Sequence, residues 1–185
     1  MDSTQRFSTR VEAYVKYRPS YPAAMLDFLA DELAMVPEAQ VADIGAGTGI
    51  LTTLLAPRVA RVWAVEPNDE MRGAARRLLA DMGNIGWSHG SAEATGLPTG
   101  SVDLITVAQA FHWFDRAAFR QECQRLLRPG GRVALIWNDR LTNTDFLKAY
   151  EEGLHAYSGD YEEVNHRNLG EHDFRAFFEG EYRLD

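Results

Sequence analysis

The sequence predicts a doubly wound α/β fold, in which a mostly parallel sheet carries helices on both faces. From residue 41 onward, short apolar runs alternate with segments of helical periodicity, which is the pattern of successive βαβ units. The apolar runs are nearly continuous, as expected for strands that helices cover on both faces. The first run leads into a glycine-rich turn, VADIGAGTG at 41–49, and such a turn joins a strand to the helix that follows it.

The predicted elements follow one another in a regular order. Strands are predicted at 41–45, 61–67, 85–90, 102–110 and 132–138. Helices are predicted at 21–34, 48–56, 68–82 and 117–127, with one or two more after residue 141. Asn68 is expected to cap the third helix, which has acidic residues in its first turn. The sequence RPGG at 128–131 is a stop signal for the fourth helix.

The length of 185 residues is that of one domain with a sizeable core. Within this single domain, residues 1–40 are expected to form an N-terminal cover segment and the first helix. Residues 41–140 are expected to form the ligand-binding core, and residues 141–185 a C-terminal helical segment.

Charge and composition argue against several classes of function. A formal net charge of −8 disfavours nucleic acid as a partner, because nucleic-acid binders usually present a basic face. No apolar run approaches the ~20 residues of a membrane span, and the N-terminus lacks the apolar stretch of a secretory signal. The only cysteine is Cys123, which predicts a reducing, cytoplasmic location. The histidines show no metal-ligand spacing, so no metal is expected.

The residues around the glycine turn indicate which ligand it holds. A dinucleotide fingerprint would place its third glycine at position 50, where this chain has Ile50. Asp43 precedes the turn, where its charge would repel a pyrophosphate and favour an ammonium or sulfonium. Glu66 ends the second predicted strand, where a carboxylate can accept hydrogen bonds from both ribose hydroxyls. A ligand with a ribose, no phosphate and a positive charge is S-adenosylmethionine.

Three motifs in order resemble those of class I S-adenosylmethionine-dependent methyltransferases: DIGAGTG at 43–49, VEP at 65–67 and LRPGG at 127–131. Four further segments are similar to the trans-aconitate methyltransferase-like proteins of that class. These segments are FSTRVEAYVKYRPSYP at 7–22, GSAEATGLP at 90–98, AQAFHWFD at 108–115 and WNDR at 137–140. The resemblance covers about residues 7 to 140.

The resemblance implies a Rossmann-like sheet of seven strands that ends in an antiparallel hairpin. After Asn138, however, the sequence shows helical patterns and no pair of β-rich runs. We therefore expect the hairpin to be missing and the chain to be truncated. The fifth strand would then have an exposed edge, covered by the C-terminal helices or by a second copy in a homodimer.

The resemblance also implies a set of cofactor-binding residues. Asp43, Gly45 and Gly47 would lie at the methionine end of the cofactor, where glycine leaves room for its approach. Glu66 would bind the ribose, with Pro67 and Asn68 on the adenine side. Ser91, Ala92 and Glu93 would cover the adenine edge, although the family commonly has Asp in place of Ser91. The alternative is that Ser91 and Glu93 are ordinary loop residues that do not bind the cofactor.

Two segments are candidates for covering the reactive methyl group. In FHWF at 111–114, His112 is the best candidate for a base; the alternative is a structural histidine among core aromatic residues. Gln109, at the end of the fourth strand, would lie near the sulfonium. In the N-terminal cover segment, Tyr14 could flank the sulfonium by cation–π attraction, and Arg18 could pair with a carboxylate. The alternative is a segment that simply packs on the sheet.

These residues predict a methyltransferase that acts on a small molecule with a carboxylate or hydroxyl acceptor. A second hypothesis is a protein that binds S-adenosylmethionine without catalysis, such as a regulator. A nucleotide-dependent oxidoreductase is a third, which Asp43 and Ile50 disfavour.

Overall fold

The computed structural model describes residues 18–139, 142–157, 168–179 and 182–184, and within them five parallel strands form one sheet. The strands are β1 (Gln40–Ile44), β2 (Arg61–Val65), β3 (Ile85–Ser88), β4 (Val102–Ala108) and β5 (Leu127–Ile136). Their order is β3-β2-β1-β4-β5, so the chain winds outward from β1 in one direction and then in the other. The predicted doubly wound fold is confirmed, with its switch point between β1 and β4.

Six helices connect and flank these strands in the described part of the chain. They are α1 (Ala23–Leu33), α2 (Ile50–Leu55), α3 (Asp69–Leu78), α4 (Arg116–Leu126), α5 (Asp145–Tyr157) and α6 (Glu171–Phe178). The Asn68 side chain caps α3 by accepting a hydrogen bond from the Met71 N–H, which confirms the predicted cap. None of the described helices is long and apolar enough to cross a membrane.

The core lies on both faces of the sheet, because neighbouring side chains of a strand point to opposite faces. Leu104 and the adjacent Ile105 of β4 belong to two different buried clusters. The cluster around Leu104 includes apolar residues of α1 and α2. The cluster around Ile105 includes Phe119 of α4 and Phe177 of α6. Helices therefore cover both faces, which explains the continuous apolar runs of the strands.

Most element boundaries differ by a few residues from the prediction, and two of the differences have a clear structural cause. Helix α2 is shorter than expected, because a 3₁₀ turn at Ala56–Arg58, with a proline among its first residues, follows Leu55. Strand β5 begins at Leu127, five residues before the predicted start at Arg132. Helix α4 does end just before the RPGG sequence, as predicted. The RPGG residues themselves lie within β5, where the pairing with β4 shifts its register between Val102 and Leu104.

Strand β5 forms one edge of the sheet, and no further strand pairs with it among the residues described. The two helices that follow fit the helical patterns of the sequence. Phe177 of α6 is buried, and Leu135 and Trp137 pack against the same cluster. Helix α6 therefore covers part of the face beside β5.

Candidate functional site

A small open cleft lies beyond the carboxyl ends of β1 and β4, at the switch point of the sheet. Its lining includes Arg18, Tyr21, Asp43, Gly45, Gly47 and Thr48. Ligands of open α/β sheets bind at this place. The structure thus brings four of the predicted site residues together: Arg18, Asp43, Gly45 and Gly47. Tyr14 lies outside the described residues.

Asp43 is a buried carboxylate in the lining of the cleft. It is 1% exposed, and its two oxygens accept hydrogen bonds from the hydroxyls of Thr52 (2.6 Å) and Thr106 (3.1 Å). Burial raises the pKa of Asp43 to about 6, against the opposing effect of the two hydroxyls, and the charge of Glu66 adds to the rise. No lysine or arginine of the described ranges forms an ion pair with Asp43. A cation placed here would relieve the cost of the buried charge.

The N–H groups of the glycine turn are already engaged inside the protein. Gly45 and Ala46 donate to the carbonyl oxygen of Val65 at 2.9 and 3.0 Å, and Gly47 donates to Oε2 of Glu66 at 2.8 Å. A phosphate-binding turn directs such N–H groups at its ligand. These three N–H groups are therefore not directed at a ligand, which disfavours a pyrophosphate, as does the charge of Asp43.

Gly45 and Gly47 both have a positive φ, but only Gly45 is also crowded by neighbouring side chains. A Cβ added at Gly45 would lie 2.7 Å from the Cβ of Ala110, so a side chain has no room there. At Gly47 the nearest atom to an added Cβ is the Cε of Met71, at 3.8 Å. The expectation that Gly47 leaves room for the cofactor stays a prediction, since Gly47 lines the cleft and no other side chain of the described residues crowds it. Its φ of +56° is the constraint, because side chains disfavour the left-handed region.

Glu66 lies at the end of β2, where it connects the glycine turn to the start of α3. Its side chain accepts hydrogen bonds from the N–H groups of Gly47 and Asn68, each at 2.8 Å. Burial raises the pKa of Glu66, although these two N–H groups and the nearby Arg72 act in the opposite direction. Each carboxylate oxygen retains a further lone pair. Glu66 can therefore accept hydrogen bonds from a ligand while it holds the turn, and Pro67 lies beside it, partly exposed.

The loop that contains Ser91, Ala92 and Glu93 has clear structural roles. Ala92 is buried in the core cluster of β4 and α4. Oε1 of Glu93 accepts a hydrogen bond from the N–H of Asp115 at 3.0 Å, and Asp115 caps α4. Ser91 is partly exposed. None of the three residues lines the cleft, so their contact with an adenine ring stays a prediction.

Gln109 and His112 lie just after β4 and do not line the cleft. Gln109 has a φ of +59°, an uncommon conformation for a residue with a side chain, and its N–H donates to the carbonyl oxygen of Ile136 at 2.9 Å. His112 lies in a 3₁₀ turn, Phe111–Trp113, with its ring centre 4.9 Å from that of Trp113. Phe111 is buried against Phe177, with ring centres 4.9 Å apart. Phe111 is therefore an aromatic residue of the core, in line with the alternative given for this segment.

Sequence reasoning missed the threonines around Asp43. Thr106 is adjacent to Asp43 because β1 and β4 pair in a register that aligns the two residues. The Thr48 side-chain oxygen is buried in the cleft lining and has no hydrogen-bond partner among the described residues. Buried hydroxyls usually have a partner. No local pattern reveals these threonines, because their positions depend on strand pairing and the turn.

Comparison with known proteins gives a family match over the same region. A family model described as "Methyltransferase domain" matches residues 42–135. An uncharacterized methyltransferase of Mycobacterium bovis is 43% identical over 139 residues, which are 75% of this chain and 54% of that relative. The chain thus spans about half the length of the curated relatives it matches.

Solved structures agree with this match. A candidate methyltransferase of an antibiotic biosynthesis pathway from Anabaena variabilis superposes with a TM-score of 0.67 at 29% identity, over 93% of this chain and 62% of that chain. A phosphoethanolamine N-methyltransferase of Haemonchus contortus, in complex with phosphoethanolamine and S-adenosylhomocysteine, superposes with a TM-score of 0.52 at 26% identity. That match covers 70% of this chain and 31% of the other.

Proposed function

The chain belongs to the methyltransferase domain family, and we propose that it transfers a methyl group from S-adenosylmethionine to a small molecule. The carboxylate of Asp43 is the observation that carries the proposal. It is buried beside the glycine turn, burial raises its pKa, and no cation among residues 18–139 forms an ion pair with it. The positively charged methionine end of the cofactor would compensate this buried charge.

The other features of the cleft fit the same ligand. The engaged N–H groups of the turn disfavour a phosphate, and S-adenosylmethionine has none. The buried hydroxyl of Thr48 offers a donor and an acceptor to a polar group of the ligand. Gly47 keeps the turn free of a side chain on the cleft. The residues present therefore fit the cofactor that the methyltransferase fold implies.

The remaining cofactor contacts are assigned by position. Glu66 would accept hydrogen bonds from the ribose hydroxyls through the lone pairs that Gly47 and Asn68 leave available. Pro67 would lie on the adenine side, with Ser91, Ala92 and Glu93 at the adenine edge. The narrower resemblance to trans-aconitate methyltransferase-like proteins stays a prediction.

Methyl transfer depends mainly on how the two reactants are aligned. S-adenosylmethionine, when bound, supplies an electrophilic methyl group on a good leaving group. The protein has to hold the acceptor in line and exclude water. Gln109 and the turn that contains His112 follow β4 on the acceptor side, and Arg18 and Tyr14 belong to the N-terminal cover segment. A carboxylate acceptor needs no base, whereas a hydroxyl acceptor would use His112 as its base.

The proposal includes a small-molecule substrate and a cytoplasmic location, with neither nucleic acid nor membrane as partner. The net charge of −8 supports the exclusion of nucleic acid. A homodimer through the outer edge of β5 is proposed on the ground that an unpaired edge favours association.

Two measurements test this function. Calorimetry should show binding of S-adenosylhomocysteine and no binding of NAD. A screen of carboxylic acids, phenols and amines should then reveal S-adenosylhomocysteine formation from S-adenosylmethionine with at least one acceptor. Cofactor binding without transfer to any acceptor would favour a non-catalytic binding protein. Binding of NAD alone would contradict the assignment of the cleft.

A further inference from the structure

Arg72 of α3 reaches back over the start of its own helix to the end of β2. Its Nη1 donates to the carbonyl oxygen of Glu66 at 2.5 Å and to that of Pro67 at 3.3 Å. Its Nη2 pairs with the carboxylate of Asp69. The Arg72 side chain is only 14% exposed, whereas that of Asp69 is 86% exposed. The main buried partners of the guanidinium are therefore the two carbonyl groups.

Two opposing electrostatic effects act on Arg72: the start of a helix disfavours a cation, whereas the nearby carboxylate of Glu66 attracts one. The first turn of a helix has a partial positive charge, which favours acidic side chains there and disfavours basic ones. Arg72 belongs to that turn region of α3, which already begins with Asp69 and Glu70. The hydrogen bonds to the carbonyl groups offset this cost and keep the guanidinium in place.

The carbonyl groups that Arg72 binds belong to the residues that position the Glu66 carboxylate. Glu66 connects the end of β2 to the glycine turn through Gly47 and to the cap of α3 through Asn68. A shift of the Glu66–Pro67 backbone would move the carboxylate relative to both N–H groups. Arg72 restrains that backbone through the carbonyl oxygens of Glu66 and Pro67, in addition to the hydrogen bond that the Glu66 N–H donates to the carbonyl oxygen of Ser88.

We propose that Arg72 is a positioning residue for cofactor binding, which holds the Glu66–Pro67 backbone so that the Glu66 carboxylate stays directed at the ribose of S-adenosylmethionine. This inference rests on the proposed function, because it assumes that Glu66 binds the ribose. Arg72 itself does not touch the ligand, and it acts through Glu66.

The test compares Arg72→Met with Arg76→Met, a matched control at an exposed arginine of the same helix. Calorimetry measures the dissociation constant of S-adenosylhomocysteine, and thermal unfolding confirms that each variant is folded. We expect Arg72→Met to raise the dissociation constant by about fivefold to thirtyfold, no more than Glu66→Gln does, because Arg72 acts only through Glu66. We expect Arg76→Met to change it by no more than about twofold. Arg72→Lys should lose less affinity than Arg72→Met, because lysine keeps the positive charge but lacks the planar guanidinium that donates to both carbonyl groups.

A double-mutant cycle separates positioning from general destabilisation. In a Glu66→Gln background, the effect of Arg72→Met should shrink to less than about threefold, because both changes act on one contact. An equal loss in both backgrounds, or no difference between Arg72→Met and Arg76→Met, would overturn the inference and leave the proposed function standing. If Arg72→Met does not fold, Arg72→Lys takes its place in the cycle. Wild-type protein that binds no S-adenosylhomocysteine would overturn both proposals.

Discussion

The cleft and helix α4 each bury a carboxylate, and the fold treats the two charges in opposite ways. Asp43 in the cleft is 1% exposed, and Glu122 of α4 is 7% exposed. Burial raises the pKa of Asp43 from 3.8 to about 6. Hydrogen bonds from Arg125, supported by Thr95, lower the pKa of Glu122 from 4.5 to about 2. Similar burial therefore produces opposite shifts.

The difference lies in the partners that the fold provides. Arg125 holds Glu122 with two hydrogen bonds, Nε at 2.8 Å and Nη2 at 2.7 Å. The N–H and hydroxyl of Thr95 also donate to Glu122, so the carboxylate anchors the loop after β3 to α4. Among the described residues, Asp43 is held by the hydroxyls of Thr52 and Thr106 and the backbone of Thr52, with no cation. A buried charge that the fold compensates has a structural role, whereas one that it leaves uncompensated indicates a ligand site.

The largest effect is expected for Asp43→Asn, which tests the cleft side of this comparison. The variant removes the charge and keeps a similar shape, so it should weaken S-adenosylhomocysteine binding by ~2–5 kcal/mol, the range for loss of one partner of a buried charge pair. Its stability should be equal to or above that of the wild type, because an uncompensated buried charge is costly. Calorimetry and thermal unfolding measure the two effects. Unchanged affinity in the folded variant would show that Asp43 does not face the cofactor.

The pH dependence of stability should have opposite signs for the two carboxylates. Because the folded pKa of Asp43 is raised, its contribution to the free energy of unfolding is present below pH about 4 and is lost as the pH rises to about 6. The contribution of Glu122 is present above pH about 4.5 and is lost as the pH falls to about 2.

Urea unfolding of the ligand-free protein between pH 4 and 7 measures the first effect. The stability of wild type relative to Asp43→Asn should fall across this range by on the order of 3 kcal/mol, at ~1.4 kcal/mol for each unit of pKa shift. A difference that stays constant with pH would contradict the raised pKa.

Glu122→Ala tests the structural side of the comparison. It leaves the N–H and hydroxyl of Thr95 without their acceptor, so the free energy of unfolding should fall by about 2 kcal/mol. Arg125 adds little to this loss, because its side chain is 36% exposed and water can solvate it. Affinity for S-adenosylhomocysteine should fall less than in Asp43→Asn, because Glu122 does not line the cleft and can act on the cofactor only through the loop that it anchors. A large loss of affinity with normal stability would place Glu122 in the functional site instead.

The smallest of these effects is expected for Glu66→Gln. Glu66 shares one property with each of the other two carboxylates. Glu66 has N–H donors, as Glu122 does, but its pKa is raised, like that of Asp43. The glutamine keeps one acceptor oxygen, so affinity for S-adenosylhomocysteine should fall by only about 1–2 kcal/mol. Calorimetry at neutral pH measures the change. Full affinity in this variant would mean that the ribose binds elsewhere.

The sequence by itself determined the features that depend on local pattern. Apolar periodicity identified all five strands, because a strand covered on both faces must be apolar along its whole length. Asn68 was recognised as a cap because a helix start needs a side-chain acceptor. The glycine turn and the charge of Asp43 indicated the class of ligand. Each of these signals lies within a few residues of the structure it predicts.

Only the tertiary structure decided which distant groups meet. The register of β1 and β4 places Thr106 beside Asp43, and the packing of the loop after β4 places Ala110 against Gly45. Glu93 was predicted at the adenine edge, but its carboxylate accepts a hydrogen bond from Asp115. Strand order and register arise from packing across the whole sheet. A segment of sequence therefore shows that a carboxylate is present, and the assembled fold decides whether a hydroxyl or a cation compensates it.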